Sequence, residues 1–275
     1  MEDSTKVYLQ FSDGLYDLMA NYQIKIVDIK PSMPVIKNEF SSFSGSIGQR
    51  LVSHTFDSFT LNFEFDFFTS SLNDLILVET ELRELFTREP EYYFLYSREP
   101  GKRYPVTLDS ITATKKAFYK GNFSVLFKVY RGYSESLIST LSDFSLDYDW
   151  QFSQGLISED YKYKHKTSNF IIYNAGSLEI DPREHYLRIE VEGESEGNVT
   201  IFNKTTGDRF IYYPSFSTKL GQTLVLDGVI PKLNGVSCGI STNHGLINLV
   251  EGVNEIEIQN ITRVKSSWDF RFLYK

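Results

Sequence analysis

The sequence predicts a mainly β protein: an α+β N-terminal part carrying one amphipathic helix, followed by an all-β sandwich. Three observations predict this. Period-two alternation of apolar and polar residues dominates the chain, one stretch alone has a strong helical stripe, and the helical signals stop near Trp150 while the alternation continues.

The clearest strand is the run Leu61, Phe63, Phe65 and Phe67, with Asn62, Glu64 and Asp66 on its other side, as a half-buried antiparallel strand requires. The same rhythm recurs at Phe123, Val125, Phe127 and Val129, with Leu126 the one apolar residue on the polar side, and the two strands are expected to share a sheet. Between them Leu72, Leu75, Ile76, Glu79, Leu82, Leu85 and Phe86 repeat at spacings of three and four, the stripe of an amphipathic helix. Ser71, three residues before Asp74, marks its start as a capping box, and Pro90 blocks its continuation. A second short helix is expected over Ser134 to Leu141, with Ser134 as its cap.

The segment Ser32 to Ser53 breaks this grammar. Pro31, Pro34, Gly45 and Gly48 interrupt it, serines surround Phe40 and Phe43, and it reads as a long loop or arm. A long irregular segment in a compact domain is usually functional, and exposed aromatic rings call for a partner surface. Beyond Trp150, short alternating runs at Phe170–Tyr173, Leu187–Val191, Val199–Ile201, Phe210–Tyr213, Leu224–Leu226, Glu255–Ile258 and Phe270–Phe272 are separated by turn residues such as Asn234-Gly235 and Gly252 to Asn254. These predict a β-sandwich. The domain boundary falls in the stretch Gln151 to Tyr163, giving domains over 1–150 and 151–275.

Composition narrows the function. The 275 residues carry 28 Lys and Arg against 36 Asp and Glu, a net charge of -8, with most of the imbalance before Trp150. Such a chain is not built for general adhesion to phosphates or anionic lipid. A single cysteine, Cys238, excludes an internal disulfide and a multi-thiolate zinc site. The N-terminus has no apolar core of a secretory signal and no run approaches a membrane span, so synthesis and folding in the cytoplasm are expected, with no membrane partner.

Motifs for catalysis are missing. The chain has no nucleophile elbow, phosphate loop, His-Glu-x-x-His or dinucleotide glycine fingerprint, and His54, His165, His185 and His244 lie far apart. We expect no enzyme activity, no catalytic or metal residues and no cofactor. Asp147-Tyr148-Asp149 opens like a calcium loop, but Phe152 and Ser158 stand where Gly and Glu are needed. Asn122, Asn198, Asn203 and Asn260 start Asn-x-Ser/Thr sequons, read as chance matches. Paired carboxylates of a glycosidase would meet only in three dimensions, so a cell-wall hydrolase stays open as the weakest of three readings. An alternative is a carbohydrate-binding adhesin module for host cell-wall polysaccharide, stacking sugars on Tyr212, Tyr213, Phe216 or Trp268. For Trp268, burial between sheets is the better reading.

The order of features over nearly the whole chain resembles the distal tail (Dit) proteins of siphophages and prophages of Gram-positive hosts, a siphovirus tail-component family. The matching features begin with the strand Leu61 to Phe68 and its following helix, Tyr92 to Tyr96, Arg103-Tyr104-Pro105-Val106, and Gly121-Asn122-Phe123 leading to Phe127. Next comes Tyr133-Ser134-Glu135-Ser136, where Ser134 replaces the family's usual Ala. In the second half they are Ile172 to Gly176, Gly197 to Ile201, Asn203 to Gly207, Leu226-Asp227-Gly228 and Gly252 to Ile256, with Ser177 to Arg188 somewhat elongated.

The resemblance implies an N-terminal domain that closes into a hexameric ring and a galectin-like C-terminal sandwich. It implies a virion location at the tail tip. The partners it implies are five copies of the same chain, the tail tube, the tape-measure protein, a tail-associated hub protein and receptor-binding components. DNA would pass through the ring without specific binding. A ring needs one surface to meet a different surface of its neighbour, and Phe40, Phe43 and Ile47 of the arm are the interface candidates. Glu64 and Asp66 are the candidates for an acidic channel wall.

Overall fold

The computed structural model describes residues 5–45, 47–117, 119–142 and 161–275. Most of the expected inter-domain join and the calcium-like Asp147 to Asp149 lie outside them. The chain divides into two compact units, one of residues 1–135 together with Lys275 and the other of residues 136–274.

In chain order the first unit contains β1 (Val7–Phe11), β2 (Gly14–Asp17), α1 (Leu18–Asn21), β3 (Ile24–Pro31), β4 (Val35–Ser41), β5 (Arg50–Asp57), β6 (Phe59–Phe68), α2 (Leu72–Phe86), β7 (Tyr92–Tyr96), β8 (Lys102–Ala117) and β9 (Lys120–Val129), with β10 (Ser134–Ser136) at the division. The main sheet runs β2-β1-β7-β8-β9-β6-β3. Its pairings are antiparallel, and β6 and β9 do pair, Phe65 opposite Phe123. The alternation of β6 puts Leu61, Phe63, Phe65 and Phe67 in the core with Phe94, Phe123 and Phe127. The rings of Phe65 and Phe123 stack at 5.5 Å. Leu75, Leu82, Leu85 and Phe86 of α2 close over this aromatic layer, while Leu72 and Ile76 of the expected stripe stay exposed.

The helix begins as its sequence requires: Ser71 Oγ accepts from Asp74 N at 3.2 Å and donates to Asp74 Oδ2 at 2.8 Å. The cap satisfies one of the first-turn amides and places a carboxylate at the positive end of the helix. Ser71→Ala is expected to cost about 1 kcal/mol in urea denaturation of the full chain; no loss would show that packing of α2 alone sets its start.

The second unit contains β11 (Lys164–His165), β12 (Asn169–Asn174), β13 (Leu187–Ser195), β14 (Val199–Asn203), β15 (Arg209–Tyr212), β16 (Phe216–Ser217), β17 (Leu224–Asp227), β18 (Ile230–Leu233), β19 (Val236–Ser237), β20 (Gly252–Gln259), β21 (Thr262–Phe270) and β22 (Leu273–Tyr274). One sheet runs β11-β21-β13-β17-β18-β19 with β16 on β13, the other β12-β20-β14-β15. Phe170 of the smaller sheet meets Trp268 of the larger with ring centres 5.9 Å apart, and Trp268 is wholly buried. The turn Asn234-Gly235 has φ of 51° and 80°, the paired positive values a tight hairpin needs.

Several expectations are corrected. The segment from Ser32 is not an irregular loop: β4 and β5 pair from Val35 opposite Asp57 to Ser41 opposite Arg50. The β-rich runs Val35 to Phe40 and Leu51 to Phe56 form its arms, and the prolines precede the first strand rather than breaking it. Ser134 to Leu141 is not a helix. Its backbone is bound elsewhere: Ser136 N donates to Phe272 O, Thr140 N to Phe270 O, and Arg271 Nη1 to the carbonyls of Ser136 and Leu137. An amide whose one hydrogen goes to a distant carbonyl, as those of Ser136 and Thr140 do, has none left for an intrahelical bond. The last predicted strand lies earlier, over Thr262–Phe270, and Gly252 to Asn254 opens β20 instead of forming a turn.

Asn254, Asn203 and Asn174 are fully buried and saturated with hydrogen bonds. Asn254 Nδ2 donates to Val250 O while its Oδ1 accepts from Val250 N and Asn203 Nδ2, and Asn174 Nδ2 donates to the carbonyls of Leu178 and Leu249. These amides pin irregular backbone that would otherwise bury unpaired groups.

Candidate functional site

Two features of the first unit bear on function: the β4–β5 hairpin and the polar face of the main sheet. The hairpin forms a sheet of its own and joins no other strand among the described residues. Every residue of β4 but Ser41 is exposed, as are Leu51 and Val52 on β5. Phe40 is 55% exposed, Phe43 64%, and Ile47 at the tip entirely so. At its base, Lys37 and Asp57 pair at 2.7 Å and the Lys275 ammonium lies 4.6 Å from the Phe56 ring centre. The Lys37 ammonium holds the Asp57 carboxyl below the usual range. Asn38 and His54 bridge the two strands at 2.6 Å. A two-stranded ribbon is marginal in water on its own, and the apolar side chains exposed on this one are surface that association would cover.

Glu64 and Asp66 share the side of β6 that faces away from the core, and both accept from Asn122 Nδ2, at 3.3 and 3.0 Å. Asp66 is buried and is ion-paired with Lys120 at 2.7 Å and Lys116 at 3.3 Å. Burial raises its pKa, but the ammonium groups of Lys120 and Lys116 and the Asn122 amide outweigh burial and hold it below the ordinary value. Because the folded value is depressed, this pairing stabilises the fold above an unfolded pKa of about 3.9 and is lost as pH falls through the lower folded value. The register also puts Lys25 opposite Asp66 and Lys30 opposite Asn62 on this face. With Lys128 opposite Thr60 and Asp28 opposite Glu64, it is a face of mixed charge.

The other sequence candidates disperse. The histidines are engaged separately: His165 stacks on Phe170 at 4.0 Å, His185 Nδ1 accepts from Asp181 N, and His244 sits in a left-handed turn. Among the described residues no group of three or more His, Cys, Asp or Glu is placed to hold a metal ion, and no helix is long and apolar enough to cross a membrane. Of the four sugar-stacking candidates, Tyr212, Phe216 and Trp268 are core residues and Tyr213 alone is about half exposed. The sequon residues Asn122 and Asn203 are buried. Sequence reasoning missed Lys116 and Lys120 as partners of Asp66, since a pair 50 residues apart leaves no local signal.

Comparison with known proteins agrees with this architecture. Residues 16–129 match the phage tail protein RIFT-related domain family, Sipho_tail. The crystal structure of the Dit protein of phage SPP1, described as a paradigm of the hub adsorption apparatus in phages infecting Gram-positive bacteria, aligns over 98% of this chain and 100% of its own, at 12% identity and a TM-score of 0.69. Two structures of the phage p2 baseplate in its activated conformation, with Ca and with Sr, align over 98% and 97% of this chain and 97% of theirs. Their identities are 10% and 11% and both TM-scores are 0.43, too low for a common fold to follow. No curated protein matches the chain. Residues 16–129 thus match the phage tail protein RIFT-related domain family, within a mainly β chain that shares the fold of the SPP1 Dit protein.

Proposed function

We propose that the chain is the structural hub of a long non-contractile phage tail tip, six copies closing into a ring that joins the tail tube to the tail-associated and receptor-binding components. The observation that carries this is the β4–β5 hairpin, which stands outside the main sheet, within the residues that match the phage tail domain, and exposes Val35, Ile36, Phe40, Leu51 and Val52. A closed ring requires two unlike surfaces on each subunit. The hairpin bearing Phe40, Phe43 and Ile47 supplies one; the sheet edges β2 and β3 supply backbone for the other. The role makes and breaks no bond. Light scattering of the purified chain is expected to find association toward a hexamer as concentration rises, and a monomer throughout would refute the reading.

In this ring the face carrying Glu64 and Asp66 lines the passage for DNA. Asp66 acts by engaging Lys116 and Lys120, which lowers the wall's attraction for phosphates and with it the salt-dependent grip that would slow transit. Asp66→Asn releases both ammonium groups. The variant is expected to bind duplex DNA at low salt several-fold more tightly than the parent, with the gain vanishing near 0.5 M salt, as filter binding would measure. Equal binding at all salt concentrations would remove these residues from the channel.

A further inference from the structure

The larger sheet of the second unit is hollowed on its outer side. Tyr186, Arg188, Glu190 and Glu192 stand in a row there, at and along β13, alternating with the buried Leu187, Ile189 and Val191. On one side Asp269, Ser267 and Lys265 of β21 lie opposite Arg188, Glu190 and Glu192; on the other, Asp227 and Val225 of β17 lie opposite Arg188 and Glu190, and Lys232 of β18 lies opposite Val225. A groove of about 630 Å³ crosses β13, β17 and β18, and another of about 250 Å³ crosses β11, β21 and β13. The two meet at Glu190 and Glu192, which line both.

The chemistry of this trough restricts what it can hold. In the groove across β13, β17 and β18, Arg188 and Lys232 face Glu190, Glu192 and Asp227, with Arg188 on Glu190 at 2.8 Å and Lys232 on Asp227 at 2.5 Å, while Lys164, Lys166 and Lys265 line only the other groove. A polyanion lying in the first groove therefore finds no net positive field. The apolar floor amounts to Val225, itself buried, so a greasy peptide or lipid gains little by entering. What the trough does offer is directional donors and acceptors, already oriented by their neighbours. Glu190 Oε2 also accepts from Ser267 Oγ at 3.2 Å, and Tyr186, half exposed at one end, donates to Asp269 Oδ2 at 2.8 Å. Groups held this way lose little freedom on meeting a hydroxyl, and each hydrogen bond to a charged partner is among the stronger ones.

We propose that the trough is a binding site for a neutral glycan lying across the strands, its hydroxyls bridging Arg188, Glu190, Asp227 and Lys232. On the ring proposed above, on which this point rests, six weak sites would act together, so modest affinity per site suffices.

Affinity electrophoresis of the full chain through gels containing dextran, galactan, mannan or polyglycerol phosphate tests this. Retardation is expected in at least one neutral polysaccharide, and Glu190→Gln and Lys232→Ala should each weaken it roughly tenfold. Melting temperature and oligomeric state, measured on the same samples, should not change, which separates this site from the ring. Retardation by polyglycerol phosphate alone, by no polysaccharide, or by a neutral one that both variants bind as the parent does would overturn the proposal.

Discussion

Replacing Glu135 by alanine is expected to destabilise the first unit by about 3–5 kcal/mol, the penalty for leaving buried charge without its counter-charge. Glu135 Oε2 accepts from Arg103 Nε at 3.0 Å and Nη2 at 2.7 Å, while Oε1 accepts from Arg131 Nη1 at 2.9 Å. The Glu135 side chain is 6% exposed and that of Arg103 12%, and the Arg103 guanidinium lies 3.8 Å from the Tyr93 ring centre. Truncation leaves two guanidinium groups facing each other with no anion between them. Thermal unfolding should shift down by roughly 10 °C. The Arg103→Ala, Glu135→Ala double variant should cost less than the sum of its parts, because the second deletion removes a charge the first has stranded. Strict additivity would show that the groups act independently, and a loss under about 1 kcal/mol would make the bridge an ordinary surface pair.

Disabling the arm should break the proposed ring and spare the fold. Phe40→Asp with Ile47→Asp puts charge on the exposed ribbon without touching the aromatic core, which is built from β6, β7, β9 and α2. If each residue is buried against a neighbouring copy, each change should cost about 2 kcal/mol per contact, roughly thirtyfold in association. The loss applies at every contact of the ring, so the variant should scatter as a monomer where the parent is assembled. Its melting profile as a monomer should match that of dissociated parent chain. Continued hexamer formation would place the ring contact elsewhere and leave the hairpin for another partner in the tail.

The two variants differ in what the sequence alone could have told. The Phe40 arm was legible as an anomaly: prolines, glycines and serines around aromatic residues in a chain otherwise ruled by alternation. Its being a hairpin was not, because eight residues separate Ser41 from Arg50 and β4 and β5 are offset by a bulge at Glu39 and Phe40, which blurs the short-range hairpin signature. The Glu135 bridge was invisible in kind. Tyr133 to Ser136 was a matching run of letters, and local spacing even argued for a helix there; Arg103, 32 residues away, decides what Glu135 does.

From its order of residues this protein had its strands along β6 and β9, the start of α2 at Ser71 and the mainly β class. Each of these is settled within one or two turns of chain, by side-chain periodicity and by a cap that reaches its own backbone. The tertiary structure alone decided the rest. It gave the backbone of Ser136 to Thr140 to its partners at 270–272 instead of to a helix, engaged Asp66 with Lys116 and Lys120, buried Tyr212 and Phe216, which looked fit for sugar, and sank Asn254 into the core. The reason is common to all four. Burial removes water as the competing partner, so the role of a polar or aromatic group is fixed by whichever distant group meets it, and that meeting is not written in neighbouring residues.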